Sequence, residues 1–107
     1  MSGNLQAYLV LSSKAKSWII DSGATDHMVN DSSSVSNFIP TSTKHDISIA
    51  NGSFVPVQGT GKVSFFPRSP TSNALVVPSF PVQLLSVGKI TNSLNCDVIF
   101  SPTFVTF

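Results

Sequence analysis

Trp18-Ile19-Ile20-Asp21-Ser22-Gly23-Ala24 constrains this chain more than any other stretch. Bulky, β-branched residues end abruptly in an acid, a hydroxyl and a glycine, the pattern of a strand that delivers one carboxylate onto a tight turn. The apolar residues bury the approach. Gly23 permits a backbone conformation or close approach that a side chain would obstruct, and Ser22 can hydrogen-bond neighbouring backbone to hold the loop. Asp21 is left at the rim of a core. An Asp after a strand is usually a capping or Asx-turn residue. The order apolar-apolar-Asp-Ser-Gly-Ala is narrower, and fits a carboxylate held ready for acid–base chemistry.

The remainder of the chain has few means of building anything but sheet. All five acids are aspartates, so there is no Glu, and Ala is scarce, while Val, Ile, Phe, Ser and Thr abound. At 107 residues the chain is one domain with a modest core. Only 10% of residues are charged against 41% hydrophobic, so Ser, Thr, Asn and Gln must carry the surface. Such a surface suits a β-rich domain that hides part of itself against another copy or domain. The net charge of +1 comes with no basic run, which argues against nucleic-acid binding by this segment. A single cysteine, Cys96, allows neither an intrachain disulfide nor a cysteine-based zinc site. The apolar patch Ala7 to Leu11 is too short for a signal-peptide core, and no stretch approaches membrane-spanning length, so a soluble, intracellular domain is expected.

Along the chain, residues 1–16 read as an N-terminal edge strand, centred on Tyr8 to Leu11, and a Ser/Lys-rich linker; residues 17–107 form the main domain. Thr25 to Val29 resumes an extended run that Asn30 to Ser34 stops. His27 has no second His or Cys nearby, and a packed, hydrogen-bonded histidine outweighs a proton carrier or metal ligand. Phe38 to Thr43 is expected to be loop. Asp46 to Ala50 alternates as a half-buried strand does, and Asn51-Gly52 signals a tight hairpin. Its return arm, Ser53 to Phe65, is weakened by Pro56, Gly59 and Gly61, so a projecting, flexible hairpin is expected, either plain surface or a cover over a cleft. Ala74 to Val77 and Val82 to Ser86 are buried-strand patterns, the second running into Gly88. Lys89 to Asn95 suits one or two helical turns, and Cys96 to Phe100 with Thr103 to Phe107 reads as a terminal hairpin around Ser101-Pro102.

Several of these motifs together resemble one family. Trp18 to Met28, Ile49-Ala50-Asn51-Gly52-Ser53, Val77-Pro78 and Leu84-Leu85-Ser86-Val87-Gly88-Lys89-Ile90 look like the protease segment of copia-type long-terminal-repeat retrotransposon Gag-Pol polyproteins. The resemblance implies an all-β, retropepsin-like closed β-barrel protomer with one short helix near its C-terminus. It implies an aspartic endopeptidase that processes its own polyprotein, with the cytoplasmic virus-like particle as its location. Carried over by position, Asp21 matches the catalytic aspartate, Ser22 the hydroxyl that knits two active-site loops together, and Gly23 the loop glycine. Ile49, Ala50, Asn51, Gly52, Ser53 and Phe54 match the substrate-binding flap; Ala24, Leu85 and Gly88 match the support of the active-site loop, with Gly88 beneath it. The chain has no further Asp-Ser/Thr-Gly, and it ends where the family's dimer-forming terminal strands would be completed.

Peptide hydrolysis by carboxylates needs two that share one proton, because like charges about 3 Å apart cannot both ionise. One activates water as base while the other donates to the carbonyl oxygen. Asp26, Asp31, Asp46 and Asp97 lack the apolar-strand-to-glycine context, and Asp26 lies too close in sequence to face Asp21 across a cleft. The dyad therefore takes one Asp21 from each copy of a homodimer, and a monomer is inert. Activity then peaks on the acid side and falls as both carboxylates ionise. The polyprotein substrate lies extended beneath the hairpins. Neither a metal nor an organic cofactor is required. The competing expectation is a non-catalytic β-barrel module of a decayed or domesticated element.

Overall fold

The computed structural model describes residues 8–12, 17–42, 45–49, 52–66 and 68–107. In chain order the strands are β1 (Tyr8–Ser12), β2 (Ser17–Asp21), β3 (His27–Val29), β4 (Ser36–Pro40), β5 (Asp46–Ser48), β6 (Phe54–Pro56), β7 (Gly59–Val63), β8 (Ser72–Val76) and β9 (Gln83–Ser86). The helix α1 (Val87–Leu94) and the short strands β10 (Ile99–Phe100) and β11 (Val105–Thr106) complete the order. Seven strands make one sheet in the order β1-β2-β9-β3-β8-β7-β4, and β5-β6 and β10-β11 are separate two-stranded hairpins.

Inside the sheet, β9 runs parallel to β2 on one side and antiparallel to β3 on the other. Its residues are all buried, as expected of a strand covered on both faces. Alternation sorts the apolar residues of the sheet into clusters. Met28 and Leu84 join Val57 and Val77, with Ile19 and Leu75 packed against them. Val29, Ala74 and Val76 join Val63 on the opposite face. Ile20 and Leu85 meet Ile90 of α1, with both β10–β11 and the aromatic pair Phe66 and Phe107 alongside. Ile90 has no exposed surface, and its burial alone is worth about 1.5–3 kcal/mol. Ser86 caps the start of α1 by accepting the Lys89 N–H, and Asn95 ends it in the left-handed region at φ 50°.

Several expectations need correction. The barrel is not closed among the described residues: the outer strands β1 and β4 pair with β2 and β7 and not with each other. The β4 edge is ill-suited to further pairing, because Asn37 has φ 53°, the register shifts between Ser36 and Ile39, and Pro40 has no N–H to donate. Of Phe38 to Thr43, expected as loop, residues 38–40 belong to the strand β4. The long return arm of the hairpin is two strands in different sheets, β6 and β7, divided at Val57-Gln58 where Pro56 ends the short ladder. The helix starts at Val87 rather than Lys89, and the terminal hairpin pairs only Ile99–Phe100 with Val105–Thr106. The expected Ser/Lys-rich turn lies, from residue 13 to 16, outside the described residues.

Gly59 and Gly61, which weaken a strand in isolation, are what lets β4 dock. A Cβ at Gly61 would overlap the Val35 side chain, and one at Gly59 would overlap the Ile39 carbonyl and the Phe38 ring. The Gly61→Ala variant is expected to lose about 1–3 kcal/mol by overpacking, read as a lower urea midpoint at unchanged slope.

Candidate functional site

Period-two alternation along β2 sends Trp18 and Ile20 to the helix side, and Ile19 and Asp21 to the other. There they line a cleft of about 580 Å³. Its floor is Asp21, Gly23, Ala24, Thr25 and Asp26; Met28, Leu75 and Leu84 form an apolar back wall; Phe80 and Val82 form a side. Ile47, Ser48 and Ile49 of the β5 arm close it from across.

Asp21 is half-buried, and its Oδ1 accepts the Gly23 N–H at 2.8 Å. That bond is the Asx-type turn of an acid after a strand, and it also aims the carboxylate at the cleft. The turn reading of Asp21 is met by this bond, and the residue also lines the cleft. Asp26 lines the same floor but is engaged by the Lys89 ammonium at 3.3 Å. Ser22 is half-buried beside Asp21.

The hairpin opposite is closed by Ile49 N–H to Ser53 O and Gly52 N–H to Ile49 O, both at 2.9 Å, with residues 50–52 between the paired ends. Gly52 takes φ +85°, the left-handed residue that such a connection demands. Of the expected flap residues, Ile49 faces the cleft, while Gly52, Ser53 and Phe54 stand beyond it and Ala50 and Asn51 lie outside the described residues. Phe54 is 70% exposed.

Of the expected support residues, Ala24 lines the floor and Leu85 is wholly buried behind it. Gly88 is not beneath the loop. It is exposed in the first turn of α1, and a Cβ there would meet nothing within 4 Å. The residue that bonds to the loop is Ser86, two residues earlier, because β9 ends there and runs straight into α1. The Ser86 hydroxyl donates to Ala24 O at 2.7 Å and accepts the Lys89 N–H at 3.1 Å. Sequence reading passed over Ser86, although a serine immediately before the apolar Val87 is an N-cap signal.

His27 is buried and hydrogen-bonded, with no exposed surface. Its Nδ1 accepts the Ser86 N–H at 2.9 Å, so the proton of the neutral ring sits on Nε2, 3.1 Å from Ser72 Oγ. The Phe65 ring packs against it edge-on. Burial first, then the nearby Lys89 charge, lower its pKa from 6.5 to about 4, against the opposing pull of Asp26. No group of three or more His, Cys, Asp or Glu that could hold a metal occurs among the described residues.

Fold and site define a mostly-β domain with one short helix, in which the loop carboxylate not paired with a lysine, Asp21, shares an apolar-walled cleft with a two-stranded hairpin. The chain belongs to the family described as Pol polyprotein, beta-barrel domain, whose profile matches residues 18–94. It is 34% identical over 91 residues to the retrovirus-related Pol polyprotein from transposon RE1 of Arabidopsis thaliana, and 36% identical over 92 residues to that from transposon RE2 of the same plant. Each match covers 82% of this chain and 6% of the relative, so the chain spans a small part of the polyproteins it resembles. No solved structure matches it. The sequence is thus of the retrotransposon Pol type, in a family whose description names a β-barrel and not a protease.

Proposed function

We propose that this chain is the aspartic endopeptidase module of a retrotransposon Pol polyprotein, working as a homodimer that joins one Asp21 from each copy. The observation that carries this reading is the position of Asp21 on the floor of an apolar-walled cleft closed from across by the β5 arm of the hairpin. An acid serving only a turn has no use for a peptide-sized cavity in front of it.

One carboxylate cannot be base and acid at once, and Asp26 is held by Lys89. A second copy supplies the partner. The ionised Asp21 takes a proton from water, the water oxygen bonds to the peptide carbonyl carbon, and the protonated Asp21 of the second copy gives its proton to the carbonyl oxygen. Collapse breaks the C–N bond as the amine leaves with a proton. The substrate is an extended segment of the polyprotein, held between the Asp21 floor and the hairpin, with apolar side chains against Met28, Leu75, Phe80 and Val82. No metal or organic cofactor enters these steps. The setting is the cytoplasmic virus-like particle in which the polyprotein is assembled.

A non-catalytic β-barrel module is the second reading, and the Asx-type bond from Gly23 to Asp21 favours it. The two separate on incubation of the purified chain with peptides spanning junctions of its own polyprotein at acid pH. Pepstatin-sensitive cleavage is expected, with a rate that rises as the square of chain concentration while the dimer is dissociated. Absence of cleavage at every concentration, in a chain shown to be dimeric, would leave the scaffold reading standing.

A further inference from the structure

Three bonds converge on Ser86. Its hydroxyl has one hydrogen to give, and gives it to Ala24 O at 2.7 Å in the loop that carries Asp21. The same oxygen accepts Lys89 N–H at 3.1 Å, which ties it to the start of α1. Its own N–H cannot join a ladder, because β3 pairs with β9 only at Met28–Leu84, and it is taken instead by the His27 ring at 2.9 Å. Ser86 also stands level with Asp21 in the parallel β2–β9 register and has no exposed surface. A hydroxyl with its donor and acceptor both committed and its backbone anchored has one orientation, so the Ala24 carbonyl has one position. The loop from Asp21 to Ala24 is then pinned at both ends, by β2 and by Ser86.

We propose that Ser86 is the positioning residue of the Asp21 loop, its hydroxyl clamp on the Ala24 carbonyl, backed by His27, setting where the Asp21 carboxylate stands in the cleft. The catalytic consequence rests on the endopeptidase reading; the clamp itself does not. Without the clamp the turn loosens, and the Gly23 N–H to Asp21 Oδ1 bond opens more often. The groups facing His27 are Lys89 and Asp26 by charge, Ser72 and Ser86 by hydrogen bond, and the Phe65 ring. A neutral ring accepts the Ser86 N–H; a protonated one cannot.

The test is amide hydrogen exchange by NMR on the full chain and on Ser86→Ala, with the amides of β7 and β8 as internal reference. Gly23 exchange is expected to accelerate about tenfold while the reference amides do not change, the scale of one lost hydrogen bond. With junction peptides, kcat is expected to fall by about the same factor with KM little altered, because the acid is misplaced while the cleft walls remain. Ser86→Cys, close in volume and a weaker donor, is measured in the same way if the alanine chain does not fold. Gly23 exchange that is unchanged, or that rises equally throughout the sheet, overturns the clamp. The expected exchange pattern in a chain that cleaves no peptide retains the clamp and removes the endopeptidase reading.

Discussion

Asp21→Asn is expected to abolish peptide cleavage in a chain that folds as well as the original. Asn retains the carbonyl-type Oδ1, so it still accepts the Gly23 N–H that shapes the turn. It is the same size and adds no charge to the cleft. What it lacks is any capacity to take up or release a proton at working pH. General acid–base transfer of this kind contributes on the order of 10²–10⁴-fold, and a symmetric dimer of the variant loses both halves at once. The measurement is turnover of a junction peptide, alongside urea unfolding to show unchanged stability. Retained turnover would remove the enzyme, since no other acid on the described cleft floor is uncommitted: Asp26 is paired with Lys89.

The dimeric half of the reading has its own test. In two copies tethered head to tail, one Asp21→Asn substitution leaves one ionisable acid and one amide in the shared site. The single substitution is expected to be as silencing as the double, because the base and acid roles belong to the pair. Half-activity of the tethered chain would mean that each copy works alone and would overturn the shared dyad, since the other acid lining the cleft, Asp26, is paired with Lys89.

What the sequence made legible was mostly local. The apolar run Trp18 to Ile20 correctly marked a strand that ends at Asp21 on a turn, and Asn51-Gly52 correctly marked a hairpin. The helix was visible from its spacing, though it begins earlier than expected because Ser86 caps it. What stayed hidden depends on partners distant in sequence. Residues 38–40 look like loop because Pro40 is a poor strand former followed by Thr and Ser; they belong to a strand because Gly59 and Gly61 leave room for Phe38 and Val35. The clamp under the loop depends on β9 lying between β2 and β3, an arrangement that brings Ser86 to Ala24 across 62 positions. Gly88 follows from the motif Leu84 to Ile90, whereas the role of Ser86, two positions earlier in that motif, exists only through its contact with Ala24. The described strands form an open sheet with β1 and β4 at its edges, a feature of long-range pairing that no local pattern announces.

Acid should weaken this fold through His27, and the effect has a definite window. In the unfolded chain the imidazole titrates near 6.5; in the fold it resists protonation down to about 4. Above 6.5 the ring is neutral in both states and its contribution is complete. Between those values the unfolded chain binds a proton that the folded chain does not, so stability falls as the pH falls. At about 1.4 kcal/mol per unit the loss reaches about 3 kcal/mol by pH 4, a large share of the 5–15 kcal/mol typical of a domain. The cause is physical and local: a charged ring would sit buried near the Lys89 ammonium and would forfeit the Ser86 N–H. His27→Gln offers an acceptor to Ser86 and a donor to Ser72 without a titrating group. That variant is expected to start less stable, having lost the ring packing against Phe65, yet to lose the slope between pH 6.5 and 4. An equal slope in both chains would show that His27 is not the acid-sensitive group. A carboxyl pair that shares one proton favours acid, whereas the histidine under its loop favours neutrality. The fold of the proposed enzyme therefore weakens on the acid side, and cleavage is expected to fall there together with Ser86 anchorage.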